Sequence, residues 1–148
     1  MKTSAGILLY RNNLEVLLVH PGGPFYINKD LGMWSIPKGE IENNEDVFST
    51  AIREFQEETN CTITSNNIIN LSSIKTPNKT IFIWAIKQDF NTKNFRSNNF
   101  SLEYPAKSGI IQSFPEVDAI QWFTIKEAKL KINKNQVPFL ERLENNVI

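Results

Sequence analysis

The sequence is poor in the residues that build disulfides, nitrogen-and-sulfur metal cages and membrane spans. Its 148 residues include one cysteine, Cys61, and one histidine, His20. One cysteine cannot close an internal disulfide, which points to a reducing compartment. One histidine and one cysteine cannot assemble a structural zinc site. A Ser-His-Asp triad would have to use His20, at the end of an apolar run beside Pro21, Gly22 and Gly23. The plainer reading is a strand-end histidine. An excess of one charge is also missing, because 16 Lys and Arg balance 16 Asp and Glu. This argues against a broadly basic nucleic-acid surface but leaves room for a local patch. No apolar run approaches the roughly 18–20 residues of a membrane helix. The first residues, MKTSAGILLYRNN, read as a strand rather than a leader. The expectation is a cytoplasmic protein with neither a membrane nor a nucleic-acid duplex as partner. The oligomeric state is left open.

What is present suits one globular domain spanning residues 1–148. A composition of 41% hydrophobic and 22% charged residues supports a packed core rather than a disordered chain. Residues 4–10 and 14–20 predict two strands with a hairpin turn at Asn12 and Asn13. Residues 21–33 form a Gly/Pro loop, and Trp34, Ser35 and Ile36 a short strand ended by Pro37. A helix is expected over 46–59. Residues 67–75 and 80–88 predict two more strands. The second is apolar on both faces, as a central covered strand should be. Residues 89–113 read as a long polar loop whose Phe95, Phe100 and Tyr104 suggest an ordered lid. A strand at 119–123 precedes a capping box, Thr124 with Glu127, which opens a helix over 125–132. A shorter helix follows Pro138. Cys61 reads as a small buried side chain, and Trp84 and Trp122 as core.

The acids are unevenly placed. Glu40, Glu42, Glu45, Asp46, Glu54, Glu57 and Glu58 fall within one turn and one helix, with Arg53 as the base among them. Asn43 or Asn44 would be the N-cap, with Glu45 and Asp46 in the first turn. Val47, Phe48, Ala51, Ile52 and Phe55 make the buried stripe. Glu54, Glu57 and Glu58, related by i, i+3 and i+4, share one side of the helix at the core's edge. Arg53 can pair with Glu57 or reach back to Glu45. Asn60 suits the left-handed position after the helix. Such a cluster repels itself unless a cation is present. Oxygen donors of this kind suit Mg²⁺.

From Gly39 to Cys61 the chain reads GEIENNEDVFSTAIREFQEETNC. This resembles the signature of the Nudix hydrolase family: Gly, five residues, Glu, seven residues, Arg-Glu, a hydrophobic residue, any residue, Glu-Glu, any residue, Gly, a hydrophobic residue. Gly39, Glu45, Arg53, Glu54, Phe55, Glu57, Glu58 and Cys61 fall in register, and Asn60 replaces the final glycine. The preceding Trp34–Glu40 stretch is similar to MutT-like bacterial Nudix proteins and to diadenosine tetraphosphate hydrolases. The later FPEVDAIQWF looks like a branch of bacterial nucleotide pyrophosphohydrolases.

The resemblance implies an α/β protein, an α/β/α sandwich around a mixed β-sheet. It implies hydrolysis of a nucleoside diphosphate linked to another group, favouring a dinucleoside polyphosphate. Nucleoside triphosphates, ADP-ribose, diphosphoinositol polyphosphates or a non-catalytic sensor remain as alternatives. Glu54, Glu57 and Glu58 carry over as Mg²⁺ ligands, with Mn²⁺ as a substitute. The Lys38 carbonyl is a further ligand. Arg53 and Glu45 carry over as supports, and Gly39 as the close approach to the metal. Glu103 is the first candidate for a general base, and Glu116 the second. Lys38 is a candidate phosphate contact. Lys79, Lys93, Arg96 and Lys107 could join it if the long loop folds over. Tyr26, Phe100 and Tyr104 could stack on a base.

Overall fold

The computed structural model describes residues 2–42 and 44–147. Among these, eight strands and three α-helices follow in the order β1 (Lys2–Arg11), β2 (Glu15–Pro21), β3 (Lys38–Glu40), α1 (Val47–Thr59), β4 (Ile68–Lys75), β5 (Lys79–Lys87), β6 (Asn99–Glu103), β7 (Ile111–Pro115), β8 (Val117–Thr124), α2 (Ile125–Lys131) and α3 (Val137–Val147).

The main sheet runs β4-β5-β1-β2-β8, with β3 attached to β1. β1 and β5 pair in parallel from Lys2 against Lys79 to Tyr10 against Lys87. The other ladders are antiparallel. The second edge of β1 is divided. Tyr10 and Arg11 pair with β2, while Ser4, Ala5 and Gly6 pair with β3. Between these two pairings the sheet opens, and the segment before β3 enters the gap. Ser35 exchanges backbone bonds with Val19 of β2, and the Ile7 N–H donates to the Pro37 carbonyl. Gly6 permits this, because a Cβ there would lie 2.3 Å from the Pro37 oxygen.

Apolar alternation along the strands fills both faces of the sheet. Leu8, Tyr10, Ile81, Ile83 and Ala85 face α2 and α3 together with Phe139, Leu140 and Leu143. Ala5, Ile7, Leu9 and Ile86 face Ala51 and Phe55 of α1. The result is the expected α/β/α sandwich. Cys61 and Trp84 join the α1 side of the core. Trp122 packs there too, beneath the Arg11 guanidinium.

Several local expectations need correction. Asp46 caps α1, its carboxylate accepting the Ser49 N–H at 3.1 Å. Glu45 and Asp46 therefore precede the first turn, and Asn44 is two residues short of the cap. Asn43 lies outside the described residues. Trp34 and Ser35 make isolated bridges, and Ile36 none, rather than a strand. The Asn12–Asn13 connection is a short 3-10 turn with Asn13 at φ 64. Residues 89–113 are less irregular than their polarity suggests. Phe100 faces Phe114 across the β6-β7 ribbon, which starts inside this stretch. The last helix is longer than expected, at 11 residues. Asn60 does end α1 in the left-handed region, at φ 66.

Candidate active site

The strand-to-helix passage from β3 into α1 brings the signature side chains together. Arg53 is the hub. Its Nε and Nη2 donate to the two carboxylate oxygens of Glu45 at 3.0 and 2.8 Å. Its Nη1 donates to Glu54 at 3.1 Å and to Glu57 at 3.2 Å. This two-pronged grip fixes position as well as charge. The guanidinium holds the Glu45 carboxyl down to about 2. Glu57 thus answers to Arg53, as its i+4 position predicts.

Glu54 and Glu58 sit deeper. Glu58 accepts the Lys38 N–H at 3.0 Å, which ties the end of α1 to β3. Burial, set against the nearby Lys38 cation and compounded by Glu54 and Glu116, pushes the Glu58 carboxyl up to about 8. Burial also raises Glu54, with Glu57 and Glu116 adding to the effect against the pull of Arg53. Gly39 faces Glu54 directly. A Cβ on Gly39 would lie 2.0 Å from the Glu54 carboxyl carbon, so this position has no room for a side chain. Burial lowers Lys38, and the neighbouring Lys79 cation lowers it further.

Lys38 and Glu58 line a cleft of about 500 Å³. Its walls include Tyr26 and Met33 from the loop after β2, Ser35 and Ile36 from the segment that wedges between β1 and β2 ahead of β3, and Asn133 and Gln136 from the turn before α3. Lys38 also borders a second depression of about 250 Å³ with Lys79, Asn78 and Asn135.

The other expected site residues come from the segment between β5 and β8. The Glu103 carboxylate accepts the Lys107 N–H at the end of the β6-β7 ribbon. Glu116, the second candidate, is the loop carboxylate whose charge reaches Glu54 and Glu58. Its backbone is fixed on both sides: its N–H donates to Asn98 and its carbonyl accepts from Gly22. Tyr104 packs edge-on to Phe25 at 5.9 Å and is absent from the cleft lining. Phe100 packs beneath Gly23. Lys93 and Arg96 border a separate depression beside Asn60 and Phe90, and Lys107 lies in the ribbon turn.

The sequence reading missed Gln136. This buried amide accepts the Ile36 N–H at 2.9 Å and donates to Ser35 Oγ at 3.1 Å. It fastens the wedge to the turn before α3. A lone polar residue between Asn135 and Val137 offers no periodic signal.

Among the described residues, no three Asp, Glu, His or Cys side chains converge closely enough to cage an ion. The donor set nevertheless suits a hard divalent cation. Glu54 and Glu58 are oxygen donors crowded against each other with raised proton affinity, and the bare Gly39 backbone leaves their approach open.

The NUDIX domain family model matches residues 1–143, and the chain belongs to that family. A 53-residue stretch, 34% of this chain, is 42% identical to Nudix hydrolase 25 of Arabidopsis thaliana, and it spans 30% of that relative's length. The fold is similar to a C. elegans Ap4A hydrolase binary complex, with a TM-score of 0.63 at 21% identity, covering 99% of this chain and 98% of that one. It is also similar to the NUDIX domain of Shewanella oneidensis NrtR complexed with ADP ribose. There the TM-score is 0.65 at 16% identity, covering 99% and 88% of the two chains. Among the described residues, no helix is long and apolar enough to cross a membrane.

Proposed function

We propose that this chain is a Mg²⁺-dependent pyrophosphohydrolase acting on a nucleoside diphosphate linked to another group, a dinucleoside polyphosphate such as diadenosine tetraphosphate being favoured. One observation carries the reading. Arg53-braced Glu54 packs on Gly39, and its neighbour Glu58 accepts the Lys38 N–H where Lys38 and Glu58 line a cleft wide enough for a nucleotide. The Ap4A hydrolase among the structural neighbours supports the choice of substrate.

Glu54, Glu57, Glu58 and the Lys38 carbonyl would hold Mg²⁺ or Mn²⁺. Bound cations of this kind neutralise phosphate charge and acidify the attacking water. The remaining work belongs to the chain. Arg53 and Glu45 keep the carboxylates oriented. The Lys38 and Lys79 cations, side by side, favour an anion between them. Glu116 takes a proton from the attacking water, replacing Glu103 in that role. Tyr26 offers a ring to a base at the cleft wall. The soluble partner is then a small nucleotide-like molecule.

The test is phosphate or nucleotide release with Mg²⁺ and with EDTA. The panel holds diadenosine tetraphosphate, nucleoside triphosphates, ADP-ribose and a diphosphoinositol polyphosphate. Cleavage of diadenosine tetraphosphate well above the others, abolished by EDTA, is expected. Preference for another member would keep the enzyme and change the substrate. ADP-ribose binding without turnover of any member would favour the sensor reading, which the ADP-ribose-bound neighbour supports.

A further inference from the structure

His20 belongs neither to the carboxylate array nor to the cleft lining. It lies near the end of β2 and is buried. Its Nδ1 is 2.8 Å from Asp118 Oδ1 of β8. Its Nε2 is 2.6 Å from the main-chain carbonyl of Lys29 in the loop after β2. Both partners are acceptors. A neutral imidazole has one N–H and can serve one of them, whereas an imidazolium serves both. The ring meets Trp34 edge-on at 5.2 Å. A second carboxylate, Asp30, faces it from the loop. Asp30 accepts the Trp34 indole N–H and pairs with Lys131 of α2. Asp118 and Asp30 thus face the ring from two elements, and Lys131 offsets one of them.

The Lys29 end of this bridge matters for the cleft. Lys29 closes a turn by donating its N–H to the Tyr26 carbonyl at 3.0 Å, and Tyr26 lines the cleft. Further along the loop, Gly32 is fastened separately to the Leu130 carbonyl.

We propose that His20 is a positioning residue: its imidazolium clasps the Tyr26–Lys29 turn to the sheet and sets the cleft wall, and when the ring is neutral its one N–H stays on Nδ1 against the Asp118 carboxylate, which frees that turn. The clasp itself is independent of the chemistry, while its effect on substrate rests on the proposed function.

One histidine per chain makes the test direct. Imidazole and backbone ¹⁵N NMR spectra of the full chain, without substrate, are followed across the histidine titration range. Protons on both ring nitrogens are expected at the acid end. The amides of Ile27, Lys29 and Asp30 should shift with the ring's midpoint. In His20→Gln, which cannot titrate, those amides should lose that transition. With diadenosine tetraphosphate and Mg²⁺, KM should rise several-fold through the same midpoint in the wild type and stay flat in His20→Gln. The kcat profile should not follow that midpoint. Loop amides indifferent to the ring's titration would overturn the proposal, as would a KM step that survives in His20→Gln. If the panel shows no hydrolysis, the functional reading fails alone, and the amide titration still decides the clasp. If His20→Gln does not fold, the wild-type titration decides by itself.

Discussion

Glu58 shows how one side chain can cost stability and still be kept. Its carboxyl is held up to about 8 against an ordinary 4.5. The native state therefore binds this proton more tightly than the unfolded chain does. Below the ordinary value both states are protonated and the group contributes nothing. Between the two values the native state alone holds the proton, so stability falls as pH rises through that window. Above it, the full penalty of a buried carboxylate remains. Glu54 has the same sign, with burial as its leading cause. In EDTA, Glu58→Gln should raise the melting temperature relative to wild type at about pH 9 and lose that advantage by about pH 4. Calorimetry at the two values checks this. Turnover with Mg²⁺ should fall by about 100-fold or more, the scale of removing one charge-stabilising group from a site. A variant that gained stability yet kept its rate would take Glu58 out of the proposed metal site.

At the scale of elements, legibility followed periodicity. The strands around the core and the apolar stripe of α1 could be read because burial on one or both faces leaves a period in the sequence. The Glu54, Glu57 and Glu58 grouping could be read for the same reason, since helical spacing fixes which residues share a side. Caps were harder. Asn44 and Asp46 are both good N-cap residues, and the choice depended on where the chain leaves β3, which is a tertiary matter. The β6-β7 ribbon was hidden because the alternation of Phe100 and Leu102 in β6 is short and only half-buried, and β7 does not repeat it. Glu103 lies on that ribbon, and a carboxylate on an unrecognised ribbon cannot be located by spacing. Asp46→Ala should cost about 1 kcal/mol, the usual value for losing a cap. Denaturant melts should read this loss, and hydrogen exchange should quicken first at the start of α1. An unchanged melt would mean that Ser49 finds another partner at no cost.

At the scale of the whole molecule, the site depends on a wedge held from both ends. Residues 35–37 pass between β1 and β2 and lead into β3, and Gln136 holds Ser35 and Ile36 from the turn before α3. Gln136→Leu removes the acceptor of the buried Ile36 N–H. Such an orphan costs about 1–3 kcal/mol. The wedge leads into Lys38 and Gly39, so proposed turnover should drop as well, although Gln136 bonds Ser35 and Ile36 rather than Glu54 or Arg53. A thermal melt beside a rate measurement checks both. Loss of stability with full activity would show that the wedge holds its place from β1 and β2 alone.

The parallel pairing of β1 with β5 also bears on synthesis. A nascent chain can close the β1-β2 hairpin early, because Tyr10 meets Val16. The other edge of β1 must wait for a strand that begins at Lys79. Until that strand emerges from the ribosome, β1 presents unpaired backbone groups and an unfinished apolar face. Contacts this distant along the chain slow folding and prolong exposure to aggregation. The helix that bears the acidic signature is therefore translated well before the sheet that supports it is complete.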